Sequence, residues 1–150
     1  MEMRWGLTDE MMKRIFAPIM QQYGLRYVPV DRNRFLLVKD HDYALLFFLP
    51  HTPMDRAEVA YVRREADGQL KIYKIDYYMI KLSPDNFRWD VMELNQKYDR
   101  LIIDLILRER ILRLNWPEIL RGETEWLEGF MLDTENGGGR TRAIKSWERD

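Results

Sequence analysis

Apolar residues recur at helical spacing between Met11 and Tyr23, where Met12, Ile15, Phe16, Ile19 and Met20 fall on one stripe. Thr8, with Asp9 and Glu10 after it, is placed to cap this helix, and Leu7 to staple against Met12. Gly24 is the residue expected just past its end, with Leu25 returning to Met20. Pro18 lies inside the pattern, and its missing N–H and bulky ring predict a kink or a break near Ala17.

From Arg26 the pattern changes to strands. Tyr27, Val28 and Val30, then Phe35 to Val38, are β-branched or aromatic runs on either side of Asp31, Arg32 and Asn33, which reads as a hairpin. Pro29 cannot donate to a ladder, so the first strand is expected at an edge or with a bulge. Asp40, His41 and Asp42 make the next turn, and Tyr43 to Leu49 is apolar at nearly every position, as in a central strand covered on both faces. Residues 57–64 and 70–78 flank Asp67-Gly68, the signal of a further hairpin, which completes five antiparallel strands.

The helical period then returns, with starts at Ser83-Pro84 or at Asp90 and a run to about Arg113. Leu94, Tyr98, Leu101, Ile102, Leu105, Ile106 and Leu112 form a wide apolar face, and Glu93, Lys97, Arg100, Asp104 and Arg108 a polar stripe of opposite-charge neighbours. Ile103, Leu107 and Leu114 form a second apolar line that calls for cover, for which the segment from Trp116 to Phe130 is nearest. Asn115 and Pro117 mark another helix start and Gly122 its stop. The predicted fold is α+β: an N-terminal helix, about five mainly antiparallel strands, and a long C-terminal helix with a short helical segment packed back on it. One domain is expected over 1–136, with a flexible tail over 137–150 after the glycine run.

Composition narrows the function classes. With 46% hydrophobic and 13% aromatic residues in 150, the chain can build a real core, and its 33% charged residues suit a globular surface. Lys and Arg number 24 against 25 Asp and Glu, so there is no global field for nucleic acid or anionic lipid. There is no Cys, hence no disulfide, thiolate metal site or thiol nucleophile. No leader pattern opens the chain, and the longest apolar runs fall well short of the roughly 20 residues of a spanning helix, so a cytoplasmic address is expected.

Candidate chemistry is sparse. His41 and His51 are the only imidazoles and form no ligand pair; His41 reads as a turn residue and His51 as a loop residue between prolines. No metal or cofactor is expected. Asp104, four residues from both Arg100 and Arg108, reads as part of a surface ion ladder, and Asp76 as a solvent-facing strand residue. Arg63 and Arg64 beside Tyr61 and Tyr73 lack any RNA-binding signature, and the glycine run before Arg140 lacks the order of a phosphate loop. One pocket alternative stands: a cavity between sheet and helices near His51, Tyr61, Tyr73, Asp76 and Tyr78, able to hold a small molecule or an active site.

One segment stands out by charge. Between Trp116 and Asn136 lie Glu118, Glu123, Glu125, Glu128, Asp133 and Glu135 against the single base Arg121, while the rest of the chain is net basic. Acids interleaved with Trp116, Trp126 and Phe130 fit an interface for a basic partner, with Trp126 as an anchor. They equally fit a cover in which the aromatics pack on the long helix and the acids face water.

The layout of a capped helix ending in Tyr23-Gly24-Leu25, a meander, a long helix and the acidic run Gly122, Glu123, Thr124, Glu125, Trp126, Leu127 resembles small, uncharacterised bacterial α+β proteins, including immunity proteins of polymorphic toxin systems. The likeness spans about residues 8 to 130 as layout. It implies a noncatalytic cytosolic protein that neutralises a basic toxin through an acidic surface. That is the expected function, with the pocket as the alternative.

Overall fold

The computed structural model describes residues 6–40, 42–50, 56–64, 70–76, 79, 100–133 and 139–141. The first helix, α1 (Asp9–Tyr23), begins where the sequence predicts: Thr8 Oγ1 accepts from the Met11 amide at 3.2 Å. It ends at Gly24, whose φ of 67° lets Leu25 turn back and donate to the Met20 carbonyl at 3.0 Å. The helix runs unbroken through Pro18. The proline lies on the exposed side, while Met12, Phe16 and Ile19 on the opposite side are fully buried and hold the helix on the sheet.

The strands are β1 (Arg26–Asp31), β2 (Arg34–Lys39), β3 (Tyr43–Phe48), β4 (Glu58–Arg64) and β5 (Leu70–Tyr73). Each pairs antiparallel with the next in sequence, giving an open meander, and a three-residue β6 (Gly139–Thr141) adds a sixth member beside β5. The tripeptide comes from the segment that the sequence assigns to the tail. Pro29 meets both expectations at once, since β1 is an edge strand and its register shifts between Pro29 and Asp31. The first hairpin turns through an Asp31 side chain that accepts from the Asn33 amide at 2.9 Å and is gripped by Arg34. β3 is buried along almost its whole length, as its unbroken apolar run predicts.

Strand alternation divides the sheet into two faces. On one, Phe35, Leu37, Tyr43, Leu45, Phe47, Val59, Tyr61 and Tyr73 join the helices in the main core. Phe16 of α1 meets Phe47 and Phe35 at ring-centroid distances of 4.7 and 5.6 Å. On the other face, Val28, Leu36, Val38, Ala44, Leu46, Ala60, Val62, Leu70 and Ile72 form a second buried cluster.

Among the described residues three helices follow: α2 (Arg100–Asn115), α3 (Pro117–Leu120) and α4 (Trp126–Asp133). The arrangement is the α+β layout predicted. Two details differ. The second apolar line of α2 is not covered as expected: Ile103 and Leu107 are buried in a small cluster of their own with Ile106, Leu114 is 62% exposed, and Trp116 to Phe130 packs into the main core instead. The last hairpin strand is also shorter than the 70–78 run, for β5 ends at Tyr73 and Asp76 begins a helical turn in which the Met79 amide donates to the Ile75 carbonyl. His41, His51, the Asp67-Gly68 turn, Tyr78 and the expected start of the long helix around Asp90 lie outside the described residues.

Candidate functional site

The acidic segment folds by turning its aromatics inward. Pro at the first position of α3 presets its backbone, and the helix closes on Gly122 (φ 79°), with the Gly122 and Glu123 amides donating to Ile119 and Glu118 carbonyls at 3.0 Å. That turn returns the chain to the sheet. Trp126 stands edge-on to Tyr61 at 5.0 Å and donates its indole N–H to the Glu123 carbonyl at 2.7 Å. Phe130 is edge-on to Tyr73 at 6.1 Å, and the Tyr43 hydroxyl donates to the Leu120 carbonyl at 2.5 Å.

Trp116 and Trp126 are each only 9% exposed and Phe130 is fully buried. Trp126 is therefore a core residue lying on the tyrosines of the sheet, and not the protruding interface anchor that the sequence suggests. The acids separate from it. Glu123, Glu125 and Glu128 are exposed and Glu118 is half-buried. Hydrogen bonding from Arg121 holds the Glu123 carboxyl below its ordinary range and raises the Arg121 guanidinium in turn. Asp133 closes α4, and the side chain of Asp133, together with Glu135, lies outside the described residues.

Of the pocket alternative, Tyr61 and Tyr73 lie side by side with their rings covered, while His51 and Tyr78 lie outside the described residues. Tyr61 and Tyr73 are 2% and 6% exposed, their rings 6.2 Å apart and covered by Trp126 and Phe130. Asp76 is not a solvent-facing strand residue. Its carboxylate receives Arg108 Nε at 3.0 Å and Nη2 at 2.9 Å, and also the Val59 amide at 3.2 Å. Continuing the β4–β5 register would bring Ile75 opposite Val59, so a side chain takes over where the β5 ladder stops.

Asp104 completes this cluster and overturns the surface ladder. It is 9% exposed, accepts from the Ala57 amide at 3.4 Å, and stands 3.7 Å from Arg108 Nη1, while Arg108 itself is 1% exposed. The physical reason is that α2 is apolar on more than one side, so its polar stripe does not face water but enters the junction between the start of β4 and the turn after β5. The cluster ties three elements together. Glu109, buried beside it in sequence, is paired bidentately with Arg113 at 2.8 and 3.1 Å.

A cavity opens instead at the other end of β4. It has a volume of about 310 Å³ and lies between Lys39, Asp42, Arg63 and Arg64 on the sheet and Arg121, Gly122 and Thr124 on the loop after α3, with Tyr43 and Tyr61 beneath. Sequence reasoning singled out Arg63 and Arg64 only as a rejected nucleotide platform; the signal it lacked was strand register. Among the described residues no group of three His, Cys, Asp or Glu is placed to hold a metal ion, and no helix is long and apolar enough to cross a membrane. No protein-family model, curated protein or solved structure matches this chain.

Proposed function

We propose that this protein is a noncatalytic binding protein that presents a rigid row of carboxylates, Glu123, Glu125 and Glu128 with Glu118 at its margin, to a basic protein partner. The supporting observation is the division within one segment: Trp116, Trp126 and Phe130 are spent on the core, and the acids between them are left in water on a backbone that those aromatics immobilise. Carboxylates held this way steer a basic partner without an ordering cost at the moment of contact. The resemblance to immunity proteins gives this reading its specific form, a cytoplasmic protein that occludes a basic toxin.

The test is kinetic. The partner captured from the native host by the wild-type chain is measured against a chain carrying Glu123→Gln, Glu125→Gln and Glu128→Gln over a range of ionic strength. The variant is expected to associate about tenfold more slowly at low salt, with a flatter salt dependence and an unchanged melting temperature. An association rate equal to wild type at low salt would remove the acidic row from the interface.

A further inference from the structure

Strand pairing sets Lys39 opposite Tyr43, Tyr43 opposite Arg63, and Arg63 opposite Lys71. Directly opposed residues share a face, and Tyr43 belongs to the main core, so this row lies on the helix-bearing side of the sheet. Arg64 is not part of it. It stands opposite Leu70, a member of the second buried cluster on the other face, and is already engaged.

Among the described arginines withdrawn from water, Arg63 stands apart. Arg34, Arg108 and Arg113 are held by Asp31, Asp76 and Glu109, and Arg64 and Arg110 are engaged as well. Arg63 is half-buried and makes no ion pair with any described residue. The residue directly across the ladder from it is a like charge, Lys71, which lies over the Tyr73 ring at 5.2 Å. Such an opposition destabilises a sheet, and a half-buried guanidinium gives up water without a partner in return. A local rule broken without a compensating contact is the mark of a functional position.

Arg63 borders the cavity of about 310 Å³, which has Tyr43 and Tyr61 beneath it. A Cβ on Gly122 would stand 3.5 Å from the Tyr43 ring, so the loop after α3 closes directly over the same row. The other charges there are spent. Lys39 donates to the Tyr23 carbonyl at 2.8 Å and its charge is offset by Asp42, and Arg121 is paired with Glu123. One positive charge remains, carried by the guanidinium of Arg63. We propose that this cavity binds a small monocarboxylic acid, its carboxylate received by Arg63. A guanidinium presents two parallel N–H donors that match the two oxygens and the single charge of one carboxylate. The volume is at the small end of ligand sites, which suits an acid of a few carbons. The site does not rest on the acidic row, whose Glu125 and Glu128 do not line it.

The experiment is an NMR titration of the full chain with sodium propionate, with propionamide as the uncharged isostere, and sodium chloride and inorganic phosphate at matched ionic strength. Propionate is expected to give saturable shifts at the Arg63 Nε–H and at the Gly122 and Thr124 amides, with propionamide and chloride giving none. Arg63→Gln should weaken propionate binding about tenfold or more and leave the melting temperature equal or higher, because it relieves the repulsion with Lys71. A merely structural arginine would instead lower it. Arg63→Lys, which keeps the charge and loses the fork, should weaken binding severalfold, and it is read alone if Arg63→Gln does not fold. Shifts that never saturate, tighter binding of phosphate than of propionate, undiminished affinity in the variant read, or failure of both variants to fold would each overturn the proposal.

Discussion

Arg108 is a charged side chain with 1% exposure, and its stability rests on how completely its donors are met. Asp76 takes two of them in a bidentate fork, and the Asp104 carbonyl accepts from Nη1 at 3.4 Å. Breaking such a pair strands a buried charge, which costs far more than losing an exposed helix pair worth about 0.2–0.5 kcal/mol. Arg108→Met is accordingly expected to lower the unfolding free energy by about 3–5 kcal/mol, and Asp76→Asn to cost more than Asp104→Asn, whose contacts are longer. Urea unfolding checks the order; a loss under about 1 kcal/mol for Arg108→Met would mean that water reaches the cluster. The sequence could not show this burial, because Asp104 and Arg108 are spaced for a solvent-facing i,i+4 pair and only the position of Asp76, distant in the chain, decides otherwise.

At the scale of elements, two phenols tie neighbouring pieces together. Tyr27 of β1 donates to Asp9 of α1 at 2.7 Å, and Tyr43 of β3 to the last residue of α3. Burial first, then the hydrogen bond and charge of Asp9, raises the Tyr27 phenol well above its ordinary range. Burial first, then the nearby Tyr61, Tyr23 and Asp42, does the same for Tyr43. An acid whose folded pKa is raised stabilises the fold fully below its unfolded pKa, about 10 for tyrosine, and that stability is lost as pH rises above it. Stability is thus expected to be flat in these two groups to about pH 10 and to fall beyond it. Tyr43→Phe should cost about 1–3 kcal/mol at neutral pH by orphaning the Leu120 carbonyl, and should shallow the alkaline fall. Equal alkaline slopes for variant and wild type would show that Tyr43 is not a source of it.

These elements were legible in unequal measure. Thr8, Gly24 and Pro29 act through local backbone chemistry, so the ends of α1 and the edge position of β1 could be read from the chain. Register is not local. A two-residue Asp67-Gly68 turn would pair Arg64 with Lys71, whereas the observed pairing sets Arg63 opposite Lys71 and Arg64 opposite Leu70. That single-residue difference sets Arg63, and not Arg64, opposite Lys71, and register of this kind is invisible to a charge count, whereas the acidic segment is not.

For the whole molecule, the decisive arrangement is the return of residues 116–133 onto the sheet. Alternating acids and aromatics could be an interface or a cover; the rings cover Tyr61 and Tyr73, and Glu123, Glu125 and Glu128 stay outside. The loop of this segment, which carries Glu123 and Glu125, also walls the cavity beside β4 through Gly122 and Thr124, and α4 carries Glu128. The most direct measurement is denaturant unfolding of Trp126→Ala. If the indole is a core residue, its loss lowers the unfolding free energy by about 3–5 kcal/mol, as for other buried aromatics. A loss below about 1 kcal/mol would contradict its packing on Tyr61 and return Trp126 to the surface as an interface anchor.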